Sequence, residues 1–384
     1  MENGSLTQDW AEAFEAVPRA AFLPDLMWPH DRSSGTATAV SKADDADAWT
    51  AYADSNLPIV TQWDDGHHDG PEPGKVFTSS SSMPSLVFSM LADLDVQPGH
   101  KVLEIGTGTG WNAALLAFRT GAENVVSVEV DETVAATART ALRRAGFGAV
   151  EVVTGDGLDG YAPRAPYDRV IATVGLRSGL SAWVRQTRPG GVILVPWGTY
   201  YGFTEATARL VVAEDGASAS GPFTQPVNFM RLRSQRFRYP QHNEYVPAHG
   251  TGDADKSTTR ISRDAFLAAD SSAAEFAIGL RVPHCTYIAD RPQGDRQPVW
   301  FYGLTDKSWA VAIFREGRST ATVFQSGARR LWDEVEAAYT WWADEGQPDV
   351  DRFGLTVTAQ GQETWLNAPF NLVATRHRPG GQSP

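Results

Sequence analysis

The stretch Glu104-Ile105-Gly106-Thr107-Gly108-Thr109-Gly110 limits what this chain can become more than any other. It follows an apolar run, Val102 to Ile105, and opens a helical one, Trp111 to Arg119. Glycines there let the backbone approach a ligand with no Cβ in the way. The helix start offers free N–H groups and partial positive charge. Around the loop, short apolar runs alternate with helical stretches. Strands read at Val125 to Val130, Val150 to Val153, Tyr167 to Thr173 and Gly191 to Pro196, and helices at Glu132 to Ala145 and Leu180 to Gln186. That rhythm predicts a doubly wound, Rossmann-like α/β domain with a parallel sheet. Leu210 to Ala213 reads as a later antiparallel strand.

The loop spacing is acid-x-G-x-G-x-G. A dinucleotide site would want G-x-G-x-x-G, and Trp111 stands where its last glycine belongs. Glu104, at the mouth of the loop, suits a cationic or amino-bearing ligand. Glu129 ends the next strand, 19 residues beyond Gly110, where a carboxylate can accept both hydroxyls of a ribose. Asp156, in Gly155-Asp156-Gly157 after the third strand, is placed to receive an exocyclic adenine amine. Acids at the C-terminal ends of successive strands line one crevice. Together they describe S-adenosylmethionine, which joins an adenosine, a sulfonium and an amino acid. The binding set is Glu104, Gly106, Thr107, Gly108, Thr109, Gly110, Glu129, Val130, Asp156 and Gly157. A turn-forming glycine cluster with solvated strand-end acids is the alternative.

At 384 residues the chain is too long for one ordinary core, and the rhythm changes near Arg236. We expect a first domain over 1–235 and a C-terminal α+β domain over 236–384. The latter shows strand-like runs at Phe276 to Val282, Val299 to Gly303, Trp309 to Phe314, Thr320 to Phe324 and Phe353 to Thr358, and one strong helix at Ala328 to Ala343. Trp332, Tyr339, Trp341 and Trp342 on that helix read as core. A net charge of -13 argues against nucleic acid, which wants a basic stripe, and against anionic lipid. One cysteine, Cys285, excludes a disulfide framework and a Cys-rich zinc site. His67-His68 beside Asp64 and Asp65 reads as a solvated loop, so no metal is expected. No apolar run reaches the roughly 18 residues of a membrane span, and the start, MENGSLTQDWAEAF, does not look like a signal peptide. A cytoplasmic protein is the expectation. The tail after Arg376 reads as frayed. Oligomeric state stays open.

Several segments carry a resemblance. They are Val17-Pro18-Arg19-Ala20-Ala21-Phe22-Leu23-Pro24, Thr78 to Pro84 (TSSSSMP), Val102 to Ala114 (VLEIGTGTGWNAA), Tyr167 to Thr173 (YDRVIAT) and Arg188-Pro189-Gly190-Gly191. Jointly, over about residues 8–233, they resemble the protein-L-isoaspartate O-methyltransferases. The departures are Ser80-Ser81 where that family has Thr-Ile, Asn228 where its V-R-F-V-P-L segment has arginine, the Asp64–Gly74 loop, and everything beyond Arg236.

The resemblance implies an S-adenosylmethionine-dependent O-methyltransferase with Ser82 on the active-site serine. Ser80 and Ser81 are weaker candidates, and Thr173 is expected to line the acceptor site. A helix N-cap is the bland alternative for Ser82. The Ser-Ser-Ser-Met-Pro run, Leu57 to Asp65 (LPIVTQWDD) and the C-terminal extension resemble elongated members that tailor ribosomally made, modified peptides such as lanthipeptides. Those methylate an ordinary aspartate, whose ester then closes to a succinimide that either persists or opens to isoaspartate. That implies a modified precursor peptide as partner. Repair of isoaspartyl residues in damaged proteins is the alternative. The extension is then expected to recognise the peptide, so that a chain ending near Arg236 would still bind cofactor. Arg231, Arg233, Arg236 and Arg238 either pair with surface acids or steer an acidic peptide.

Overall fold

The computed structural model describes residues 6–31, 34–248, 250–267 and 272–373. The tail after Arg376 lies outside them.

The expected parallel strands form at Val102–Ile105, Val125–Glu129, Glu151–Thr154, Tyr167–Ala172 and Thr187–Gly198. Val102–Ile105 lies between Tyr167–Ala172 and Val125–Glu129, with both pairings parallel. The chain thus reverses its direction of winding beside the glycine loop, which is where doubly wound sheets bind ligands. Helices Pro84–Leu94, Trp111–Thr120 and Glu132–Arg144 contribute one core, including Phe88, Trp111 and Leu115.

The sheet does not stop with the first domain. Antiparallel strands Glu205–Val212 and Ser218–Val227 continue it, and the two last strands of the chain, Phe353–Thr358 and Gly361–Leu366, complete nine strands. Val350, Phe353, Leu355, Val357 and Leu366 share a core cluster with Leu103, Ile105 and Trp197. The boundary near 235 therefore separates segments of sequence, but no break in packing falls there.

Between these points the extension builds a second, five-stranded antiparallel sheet from Asp255–Thr259, Cys285–Ala289, Arg296–Gly303, Trp309–Arg315 and Ala321–Ser326. Helix Leu331–Asp344 covers it, and Trp332 is 1% exposed in its core. Phe276 to Val282, read from sequence as a strand, is instead within helix Ser272–Arg281 and its cap. The reason is two-sided burial. Phe276, Ala277 and Leu280 enter the large core while Ile278 and Val282 enter the second one. An element apolar all round loses the periodicity that tells helix from strand.

A small antiparallel sheet that the sequence did not reveal lies between Leu26 and Ser81. Its longer strands are Leu26–Asp31, Ile59–Trp63 and Phe77–Ser81. The last of them delivers the serine run to the start of helix Pro84–Leu94. No helix among the described residues is long and apolar enough to cross a membrane.

Candidate active site

The glycine loop turns directly off Val102–Ile105. Gly106 takes φ +93°, Gly108 +52° and Gly110 +88°, all in the half of backbone space that side chains avoid. Gly106 N–H donates to Val128 O at 2.8 Å and so holds the loop against the neighbouring strand. Glu129, ending that strand, accepts from Gly108 N–H at 3.0 Å and from Asp131 N–H at 3.1 Å. Val130 beside it is 41% exposed. The Asp131 carboxylate caps helix Glu132–Arg144 by accepting from Thr133 and Val134 N–H.

Above the loop lies a narrow cavity of about 100 Å³, whose lining includes Gly106, Gly108, Glu129, Val130, Gly157 and Thr173. This donor set fits an adenosine linked to an amino acid. A strand-end carboxylate meets hydroxyls, an exposed valine offers an apolar face, and side-chain-free backbone frames the amino acid.

Two expected ligand-binding acids do not line this cavity. Glu104 is 0% exposed and beneath the loop. Its carboxylate accepts from Ser127 Oγ and from Asn112 Nδ2 at 2.7 Å, and it does not border the cavity. Val102–Ile105 is buried on both faces, so alternation along it did not tell a ligand-facing acid from an interior one. Asp156 turns its carboxylate back to accept from Leu158 N–H at 3.0 Å, and the neighbouring Gly157 borders the cavity in its place. Thr173 does border the cavity. Its hydroxyl is tied to Gly106 O at 2.5 Å, on the cofactor side and away from the acceptor cleft.

Burial pushes the Glu104 carboxyl up to about 7, with Ser127 and Asn112 opposing the shift. The folded state therefore keeps a proton that an unfolded chain releases near its ordinary value of 4.5. For an acid raised on folding, stability is fully present below the unfolded value and falls as pH rises towards the folded one. Between pH 4.5 and about 7 this single group should remove of the order of 3 kcal/mol. Glu104→Gln, neutral throughout, should erase that slope. Melting temperatures of both proteins across pH 5–8 check it, and parallel curves would contradict it.

The serine run forms the other wall. Ser80 and Ser82 border both the cofactor cavity and an adjoining cleft of about 1020 Å³. Ser81 borders the cofactor cavity alone, and its side chain is held by Arg19, whose Nε donates to its Oγ and Nη2 to its carbonyl, both at 2.9 Å. The same guanidinium reaches the carbonyls of Ser55 and Leu57, so Arg19 clamps the serine strand from 62 residues away. Ser82 does not cap the following helix. The cap position is Met83, and Asn56 Oδ1 accepts from Ser85 N–H at 2.9 Å. The half-buried Ser82 hydroxyl is thus left for the two cavities it borders.

Asn228 borders the cleft. The expected arginine cluster is paired with acids. Arg231 meets buried Glu205, Arg233 bridges Asp65 at 3.1 Å and Asp131 at 3.2 Å, Arg236 meets Asp65 at 2.9 Å, and Arg238 meets Glu244. Arg233 and Arg236 thereby fasten the start of the Asp64–Gly74 loop across the site. In that loop Asp64 accepts from Lys75 and Val76 N–H, contacts that hold its carboxyl below the usual range.

Comparison with known proteins agrees with this geometry. A family model described as protein-L-isoaspartate(D-aspartate) O-methyltransferase matches residues 2–236. Proteins named protein-L-isoaspartate O-methyltransferase are similar in sequence. The one from Pyrococcus horikoshii is 40% identical over 136 residues, covering 35% of this chain and 61% of its own length. That from Methanopyrus kandleri is 35% identical over 190 residues, covering 49% and 68%. That from Methanocella arvoryzae is 38% identical over 188 residues, covering 49% and 81%. A solved structure named protein-L-isoaspartate O-methyltransferase aligns over 96% of this chain and 97% of its own, with 20% identity and a TM-score of 0.52. At that identity the likeness is one of fold, and it takes in the extension.

Proposed function

Because the chain belongs to the protein-L-isoaspartate(D-aspartate) O-methyltransferase family, we propose that it methylates a carboxylate of isoaspartyl residues in proteins or peptides, with S-adenosylmethionine as donor. The observation that carries this reading is the junction at Ser80 and Ser82, where the glycine-loop cavity opens into the larger cleft. One side suits a nucleoside-bearing donor, and the other has room for a peptide.

When bound, S-adenosylmethionine supplies an electrophilic methyl on a sulfonium. Glu129 accepts hydroxyls at the strand end, and the Gly106–Gly110 backbone frames the amino-acid part. A carboxyl acceptor needs no base, since it is ionised at neutral pH. The protein's task is to hold one oxygen in line and keep water away. Ser82, whose hydroxyl is not spent on the helix cap, donates to the acceptor carboxylate and aims it.

Ser82→Ala should lower kcat about 10–100-fold, the scale of one hydrogen bond to a charged group, while S-adenosylhomocysteine affinity stays within about twofold. An equal loss of both would make the serine structural.

A second reading is methylation of an ordinary aspartate in a modified ribosomal peptide, leading to succinimide and then isoaspartate. Asn228 favours it, because this cleft residue stands where the repair enzymes carry arginine. Matched Asp and isoAsp peptides separate the two. Methyl gain on isoAsp alone supports the first reading. Methyl gain on Asp followed by methanol loss supports the second.

A further inference from the structure

The cleft beyond Ser82 contains a cation that the methyl-transfer chemistry does not use. Arg177 borders it and is 8% exposed. Its guanidinium lies 4.2 Å from the Tyr200 ring and 5.0 Å from the Phe237 ring. Nε donates to Thr199 O at 3.2 Å and Nη1 to Gln235 O at 2.7 Å. Two aromatic rings and two carbonyls thus fix the plane of the fork. Burial lowers this arginine to about 10, so it stays charged at neutral pH.

The acids that line the cleft are already engaged. Glu205 takes Arg231 and the Phe229 N–H, Asp65 takes Arg233 and Arg236, and Asp64 takes two backbone N–H groups. Arg177 has no carboxylate within ion-pair distance among the described residues, and its Nη2 is not engaged by them. A buried cation is ordinarily paired. A planar fork with a free edge, facing a cleft, matches a carboxylate.

That carboxylate is not the one being methylated. Transfer from a sulfonium to a carboxylate neutralises both charges, so an arginine gripping the reacting oxygen would favour the ground state over the transition state. The cleft, at about 1020 Å³, holds more than one side chain. Exposed Phe77, Phe203 and Tyr239 border it and offer apolar surface to a peptide around its acids.

We propose that Arg177 reads a second carboxylate on the acceptor, so that the substrate is an acidic peptide segment carrying an Asp or Glu side chain, or its own C-terminal carboxylate, beside the residue to be methylated. This rests on the methyl-transfer reading above, and it assigns the substrate class of the same cleft.

The test uses the full chain with S-adenosylhomocysteine bound, and isoAsp and Asp peptides in matched sets. One set places Glu or Gln at each position flanking the reacting residue. The other ends shortly after it in a free carboxylate or an amide. Peptide affinity and methyl-transfer kcat/KM are both measured.

Wild-type protein should favour the extra carboxylate in at least one context by about tenfold or more, expressed in Kd and KM, as for one buried charge-assisted contact. Arg177→Gln should bring that ratio close to one, whatever it does to overall turnover. Should that variant not fold, Arg177→Lys keeps the charge without the fork and should reduce the ratio severalfold. A wild-type ratio near one in every context overturns the proposal, as does a ratio that either variant leaves intact. Arg177-dependent binding of diacid peptides without any methyl gain would overturn the methyl-transfer reading and leave this one standing.

Discussion

A chain ending after Arg236 should fail to give a soluble, cofactor-binding protein, although every methyl-transfer motif lies before that point. The cut removes Phe353–Thr358, the hydrogen-bonded neighbour of Ser218–Val227, and leaves that strand as a bare edge. It also strips Phe276, Leu280, Phe353, Leu355, Val357 and Leu366 from a core shared with Leu103, Ile105 and Trp197. Each such side chain contributes about 1.5–3 kcal/mol on burial, so the loss rivals the roughly 5–15 kcal/mol that keeps a typical domain folded. Soluble yield and protection of the melting temperature by S-adenosylhomocysteine are the measurements. A soluble, monomeric, ligand-protected fragment would contradict the expectation and restore the extension as a detachable recognition domain.

Gly106→Val should abolish cofactor binding, with affinity for S-adenosylhomocysteine falling by about a hundredfold or more, the equivalent of 2.7 kcal/mol. At φ +93° a β-branched residue is strained. The added Cβ would stand 2.8 Å from Thr173 Oγ1 and 2.9 Å from Val174 Cγ1, so the loop must shift away from the cavity wall. Gly108 is less constrained, with its nearest neighbour, Ser80 O, at 3.3 Å from such a Cβ. Calorimetry on a variant with an unchanged circular dichroism spectrum checks the prediction. Binding within about threefold of wild type would mean that the loop does not frame the ligand.

What the sequence made legible was mostly local. Val102–Ile105 and the helix after it carry their own periodicity, and Glu129 follows from strand spacing alone. The serine run was found by resemblance. What escaped acts over distance or lacks a period. Arg19 grips Ser81 across 62 residues, and nothing near either announces the contact. Arg177 is surrounded by Tyr200, Gln235 and Phe237, which a reader of the chain meets separately. The small sheet was missed because two of its strands, Thr36–Ala37 and Val40–Ser41, have two residues each. Glu104 looked like a ligand-binding acid because its place beside the glycine loop is visible in sequence, whereas its Ser127 and Asn112 partners are not.

Arg233 has the broadest reach of the paired arginines. One nitrogen touches Asp65, on the loop beside the acceptor cleft, and Asp131, whose own N–H donates to Glu129. A donor bound at Glu129 and a peptide bound beside the Asp65 loop therefore meet the two ends of one chain of contacts. Two binding events that share a contact share free energy, and thermodynamic linkage makes that share equal in both directions. The donor's effect on peptide affinity must therefore equal the peptide's effect on donor affinity. The two products obey the same reciprocity, with a coupling factor of their own.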